Sequence, residues 1–200
     1  MILLYNICNA RPTEEQAINH TKQTMIKNVE IFSQNARRFG TFLGLFWIAK
    51  FILFPIGLSM ALIQLLFIVL TLAVPFIGYR LVKTYRDKAC MGYISFNEAF
   101  IFSLLMYFYA SLLVAVAHYI YFQFIDNGFV IESYEGMIDS IASLGDAALK
   151  SSIDQLKQNI EVFRSLSSLQ ITFELIMNNL MWGFLFSLPT AGFVMKKEKK

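Results

Sequence analysis

Residues 92–124 constrain the fold of this chain more than any other segment, because they form one long apolar run: GYISFNEAFIFSLLMYFYASLLVAVAHYIYFQF. About 20 apolar residues in a helix are enough to cross a bilayer. The run opens with Ser95-Phe96-Asn97-Glu98, which has the spacing of a capping box, a reciprocal pair of hydrogen bonds that fixes a helix start. We therefore predict a membrane-spanning helix from Phe96 to about Phe124, and Ser95 and Glu98 are expected to be structural.

Three further apolar segments predict an all-α bundle of four membrane-spanning helices, at residues 36–54, 58–79, 96–124 and 169–194. At 1.5 Å per residue, a helix over any of these segments is long enough for the hydrocarbon core. Pro55 and Gly57 predict a tight hairpin between the first two spans, since proline pushes the preceding residue out of the helical region and glycine permits a turn. Pro75 predicts a kink inside the second span.

The composition fits this class, since 56% of the residues are hydrophobic and 16% are charged, whereas soluble domains carry about 25% charged residues. The net charge of +3 is too small to indicate a nucleic-acid partner. Cys8 and Cys90 are the only cysteines, and we expect both to stay reduced in the cytoplasm. No metal-type Cys/His spacing occurs, so neither a metal nor another cofactor is expected.

Charge near the spans predicts their orientation, because lysine and arginine accumulate on the cytoplasmic side. Residues 126–169 are different, with seven acidic and three basic side chains. Four spans with both termini cytoplasmic place this acidic segment outside the cytoplasm. The basic residues at the cytoplasmic ends are Lys22, Lys27, Arg37, Arg38, Arg80, Lys83, Arg86, Lys88, Lys196, Lys197, Lys199 and Lys200.

The acidic segment is expected to form an extracytoplasmic helical cap over residues 126–168. Its apolar residues recur at helical spacing in two runs, one near residues 131–144 and one over residues 147–166. Gly145 ends the first run and Asp146 is positioned to cap the second. Two arrangements remain open: the helices pack on each other as a hairpin, or they lie flat on the bilayer.

The ends of the chain are expected to be cytoplasmic tails, residues 1–35 at the N-terminus, partly disordered, and the basic residues 196–200 at the C-terminus. Within the first tail, residues 27–38 combine apolar and basic side chains and predict a short interfacial helix. A further hypothesis is that translation begins at Met25. Peptide mass spectrometry tests it, since a native peptide containing Cys8 would remove the idea.

Two sets of small residues predict close packing between helices, because small side chains let helix backbones approach in a membrane. Gly40 and Gly44 lie one turn apart on the first span. The second set lies on the third span and comprises Ala110, Ser111, Ala115 and Ala117.

Four polar residues, one on each span, fall at similar predicted depth in the outer leaflet: Lys50, Gln64, His118 and Glu174. Ionisable groups inside a membrane are functional-site candidates. If the four face inward, Lys50 pairs with Glu174 beside a titratable His118, and a polar pocket opens under the cap. The structural alternative is that Lys50 extends to the interface, His118 belongs to the interfacial aromatic belt, and Glu174 caps a helix or faces the acidic loop.

The residues already discussed also resemble a known family. Residues 46–55 (FWIAKFILFP), 92–100 (GYISFNEAF), 118–122 (HYIYF) and Ile125-Asp126 are similar to the bacterial domain-of-unknown-function family numbered 4199. The resemblance covers roughly residues 36–195. It implies a small multi-pass protein of the bacterial inner membrane, and it supplies no catalytic residue.

We do not expect an enzyme, since the sequence contains none of the common nucleophile, metalloprotease or nucleotide-binding motifs. The leading hypothesis is a structural, assembly or interaction role in the lipid bilayer, including a membrane-protein partner or self-association through the small-residue sets. The alternative is a small transporter or ligand-binding membrane protein that uses the outer-leaflet polar pocket.

Overall fold

Six helices account for most of the residues that the computed structural model describes, which are residues 14–143 and 149–197, with side chains from residue 29 onward. The helices are α1 (Glu14–Ser59), α2 (Ala61–Ala89), α3 (Phe96–Phe124), α4 (Phe129–Ala142), α5 (Lys150–Ser165) and α6 (Ser168–Val194). Four of them are long and apolar enough to cross a membrane, over Val29–Ser59, Ala61–Ala89, Phe96–Phe124 and Ser168–Val194. The predicted all-α class with four spans is confirmed.

Capping boxes set the starts of α3 and α6. The Ser95 hydroxyl accepts a hydrogen bond from the backbone N–H of Glu98 at 3.3 Å, and the Glu98 carboxylate accepts one from the N–H of Ser95 at 3.0 Å. Ser167 and Gln170 form the second box, which the sequence analysis did not identify. Each box supplies hydrogen-bond acceptors for two backbone N–H groups that would otherwise have no partner at the start of a helix. Each box therefore fixes the residue at which its helix begins.

The first hairpin lies further along the chain than predicted. Helix α1 continues through Pro55 to Ser59, and the turn falls at Met60, whose backbone is extended at φ −134° and ψ 105°. A membrane helix tolerates proline where neighbouring groups satisfy the freed carbonyl. Gly57 instead allows close approach of α2, since a Cβ added there would lie 2.9 Å from the Cα of Gln64.

Two other expected boundaries also differ. Helix α2 extends to Ala89, ten residues beyond the predicted end at residue 79, because neither proline nor glycine occurs between residues 79 and 91. Residues 14–35, expected to form a tail with a separate interfacial helix over 27–38, belong to α1. Cys8, Asp146, Lys199 and Lys200 lie outside the described residues.

The spans run in alternating directions within the compact unit that begins at Ala36. At one end, Ile94 and Lys196 pair through two backbone hydrogen bonds of 3.1 and 3.0 Å, and Arg86 donates to the carbonyl of Val194 at 2.9 Å. At the other end, the Ser168 hydroxyl donates to the carbonyl of Phe122 at 3.0 Å. The hairpin of α4 and α5 connects α3 to α6 at this second end.

Tyr107 occupies the centre of the bundle and is 1% exposed. Its ring stacks on Trp47 of α1 with centroids 6.0 Å apart. Glycines make room for it on the other two spans: a Cβ added to Gly78 would overlap the Tyr107 hydroxyl, and one added to Gly183 would lie 2.7 Å from the Tyr107 Cβ. One aromatic side chain on α3 therefore contacts all three of the other spans.

The glycine set of α1 lies against α3 of the same chain, and most of the small residues of α3 are buried. A Cβ added to Gly40 would lie 2.7 Å from the Met106 carbonyl oxygen, and one added to Gly44 would lie 3.2 Å from that of Ala110. On α3, Ala110 and Ser111 are fully buried, Ala115 is 8% exposed and Ala117 is half-buried. The glycine set therefore packs inside the bundle, and self-association through it would require the chain to open.

Candidate functional site

The cap hairpin begins at a sharp turn that Asp126 stabilises. Asp126 is 8% exposed, and its carboxylate accepts hydrogen bonds from the backbone N–H groups of Gly128 at 3.2 Å and Val130 at 3.1 Å. Gly128 has φ +88°, in the left-handed region that glycine adopts without steric cost. The turn reverses the chain after α3 and places α4 over the end of the bundle.

Two ion pairs join α4 to α5. Lys157 lies 2.8 Å from Asp139, and Arg164 pairs with Glu135. Hydrogen bonding to the Asp139 carboxylate raises the pKa of Lys157, so the contribution of this lysine to stability is lost as the pH rises through the raised pKa. Of the two arrangements left open by the sequence, the structure has the packed hairpin.

A cavity of about 440 Å³ lies under this hairpin, and all six helices contribute to its wall. The inner faces of α4 and α5 form its roof, with Ile138 and Phe163 among the lining residues. The spans form the rest, with Phe51, Phe67 and Leu175 from α1, α2 and α6. Small-molecule sites are typically clefts of about 300–1,000 Å³ with a mostly apolar wall, and this cavity has that size and character.

Contacts between aromatic rings hold one side of the cavity together. The Phe51 ring lies edge-on to the His118 ring with centroids 4.3 Å apart, and to the Tyr121 ring at 5.4 Å. Phe122 of α3 meets Phe163 of α5 at 6.3 Å. These edge-to-face pairs favour fixed ring positions. The aromatic side chains on this side of the cavity are therefore held in place by contacts with one another.

Lys50 is the only cationic side chain among the described lining residues besides the titratable His118, and none of those lining residues is an acid. Its ammonium lies 5.2 Å from the centroid of the Phe67 ring, a cation–π contact. Within the described part of the chain, no carboxylate lies within 4.0 Å of it. The Lys50 ammonium thus lines the cavity without an acidic partner among the described residues.

Two other lining residues carry buried ring nitrogens. Trp47 and His118 are each 6% exposed, and the Trp47 Nε1 and His118 Nδ1 atoms have no hydrogen-bond partner among the described residues. Most buried polar atoms in proteins have a partner, and exceptions often mark functional sites. Among the described residues, the side-chain atoms of this kind number four: these two lie in the wall of the cavity, and the other two, Gln64 Oε1 and the Tyr107 hydroxyl, belong to residues that do not line it.

The structure brings together two of the four residues predicted to form a polar pocket. Lys50 and His118 line the cavity. Gln64 lies at the turn between α1 and α2, next to Gly57, and Glu174 is exposed on α6; neither is a lining residue, and the predicted ion pair between Lys50 and Glu174 does not form.

Sequence reasoning did not place several lining residues in a pocket, among them Trp47, Phe51 and Asn159. Trp47 and Phe51 lie three residues before Lys50 and one residue after it, and helical periodicity could have grouped Trp47 with Lys50 on one face. Nothing in the sequence pattern distinguishes Phe51 from a residue that packs in the core. Asn179 of α6 is also a lining residue.

These features define a class: a four-span α-helical membrane protein with a helical hairpin that covers a cavity at one end of its bundle. The family model described as "Protein of unknown function (DUF4199)" matches residues 38–196. The chain therefore belongs to this family, and the resemblance is confirmed. No curated protein and no solved structure matches the chain.

Proposed function

We propose that this protein binds a small, mostly apolar molecule in the cavity beneath the α4–α5 hairpin, and that it is a ligand-binding membrane protein and not an enzyme. The observation that carries the proposal is the cavity itself, about 440 Å³ in volume and lined by side chains of all six helices. Its apolar wall suits a ligand that partitions into the bilayer, and its few polar groups would orient that ligand.

Ligand binding has more support than self-association through the small-residue sets, which is one form of the assembly role. Gly40 and Gly44 lie against α3 of their own chain, so the closest-packing surface of α1 is occupied within the bundle. A transport role would require a second opening of the cavity, whereas binding requires only the cavity itself. We therefore propose binding.

A photoreactive long-chain alcohol, with a diazirine in its chain, tests the proposal on the full-length protein in lipid nanodiscs. We expect saturable labelling of peptides that line the cavity, including those of α5 and of residues 47–54, and competition by excess unreactive alcohol. Labelling that rises linearly with concentration, or that saturates only on lipid-facing residues such as Phe193, which is 78% exposed, would contradict it.

We further propose that the protein lies in the bacterial inner membrane with both termini in the cytoplasm. The end of the bundle formed by Arg86, Ile94 and Lys196 carries the basic loop and tail, and the acidic hairpin lies at the other end. Cytoplasmic placement of the basic end follows the positive-inside tendency.

Cysteine labelling tests this orientation in cells. In a Cys8→Ser, Cys90→Ser background, Met91→Cys and Ser151→Cys introduce thiols at two exposed positions, at opposite ends of the bundle. A maleimide that cannot cross membranes should label Ser151→Cys in intact spheroplasts and Met91→Cys only after the membrane is opened. The reverse order would place the hairpin in the cytoplasm.

A further inference from the structure

We infer that the ligand of this cavity is an anionic amphiphile, with a negatively charged head group that lies against Lys50 and an apolar body that fills the rest of the space. The inference rests on the proposed function and adds the chemical class of the ligand. It commits to a molecule that enters from the bilayer, and not to a free anion such as inorganic phosphate.

The first argument is the charge balance of the cavity. A cation withdrawn from water into an apolar wall is stable only where another group compensates for the lost hydration. Lys50 has the face of Phe67 at 5.2 Å and no carboxylate among the described lining residues. An anionic head group beside Lys50 would supply the missing counter-charge.

The second argument is where the acidic side chains of the hairpin lie. Glu135, Asp139 and Glu161 border a separate depression together with Lys157, and they pair with Lys157 and Arg164. These three acids are therefore already paired with basic residues of the hairpin. The surface that the hairpin turns toward the bundle is apolar, and it leaves Lys50 to an external anion.

The third argument is the hydrogen-bonding character of the polar residues that line the cavity. The polar lining residues are few, and they comprise Trp47, Lys50, His118, Tyr134, Asn159 and Asn179. Three of them, Trp47, Lys50 and His118, come from α1 and α3, and all three can donate a hydrogen bond. Donors that line the same cavity as one cation suit an acceptor-rich, negatively charged head, while Phe54, Leu156 and Ile160 suit an apolar body.

The experiment compares two photoreactive probes that differ only in the head group: a diazirine fatty acid, used at a pH where it is ionised, and the matching diazirine alcohol. The proteins are the wild type, Lys50→Met, and the control Lys83→Met, which removes an exposed lysine of α2 outside the cavity. Because partitioning into the nanodisc is the same for each probe across the proteins, the ratio of the two half-saturating concentrations isolates the effect of the side chain. Hexanoate and inorganic phosphate serve as soluble competitors.

We expect the wild type and Lys83→Met to favour the acid over the alcohol by about tenfold, as for a charge-assisted hydrogen bond in an apolar site. Lys50→Met should lose this preference while still binding the alcohol, and the soluble anions should not displace the acid. Equal affinity for both probes in the wild type, or an undiminished preference in Lys50→Met, would overturn the inference and leave the proposed function standing. Displacement of the acid by phosphate at similar concentration would also overturn it, and failure of both probes to label the cavity would remove the proposed function itself.

Discussion

Replacement of Gly183 by alanine should lower the free energy of unfolding by about 1–3 kcal/mol, the usual cost of overpacking a filled core. The added Cβ would lie 2.7 Å from the Cβ of Tyr107 and 3.0 Å from its Cγ. The position of the Tyr107 Cβ is fixed by the α3 backbone, so a change of rotamer cannot move it away. Trp47 stacks on the Tyr107 ring, and Gly78 lies against the Tyr107 hydroxyl. These two contacts oppose any shift of the ring away from an added methyl group.

Gly192→Ala is the matched control, since Gly192 lies on the same helix and an added Cβ would meet no atom within 4 Å. Alanine is the better helix former by up to about 1 kcal/mol, so this variant should be as stable as the wild type or more so. Unfolding in mixed micelles with increasing dodecyl sulfate, followed by circular dichroism, measures both. Equal midpoints for the two variants would mean that Tyr107 is not clamped as the structure has it.

The parts of the fold that the sequence predicted are those that depend on local rules. Apolar length identified all four spans, and the Ser95–Glu98 spacing identified the start of α3, which the structure confirms. The predicted position of the first hairpin is wrong because Pro55 does not end the helix. The proline lies inside α1, and the chain reverses at Met60. The central role of Tyr107 was not predictable, since it depends on Gly78 and Gly183 of two other helices facing one ring.

The candidate site was also predicted only in part, because its geometry depends on packing between helices. Counting residues along each span gave the depth of Lys50, Gln64, His118 and Glu174, but it did not give the direction that each side chain faces. Depth follows from a rise of 1.5 Å per residue, whereas direction depends on how each helix is rotated within the bundle. Lys50 and His118 share the cavity, while Glu174 faces outward, and only the packed structure could separate these cases.

Replacement of Leu175 by tryptophan should abolish binding of the photoreactive alcohol, raising its half-saturating concentration more than about tenfold. Leu175 is a half-buried residue of α6 that lines the cavity, and a larger indole at that position would occupy the space of the ligand. The cavity can accept the larger side chain without overpacking, since it offers about 440 Å³, so the variant should keep the helical content of the wild type.

The control for this experiment is Leu185→Trp, the same substitution on the same helix. Leu185 is 46% exposed and is not a lining residue, so the added indole would face lipid and the saturable labelling should be unchanged. If both variants lost labelling equally, the effect would come from the helix as a whole and not from the cavity. If Leu175→Trp kept wild-type affinity, the ligand would have to bind elsewhere, because an indole at residue 175 and a ligand in the cavity compete for one volume under the hairpin.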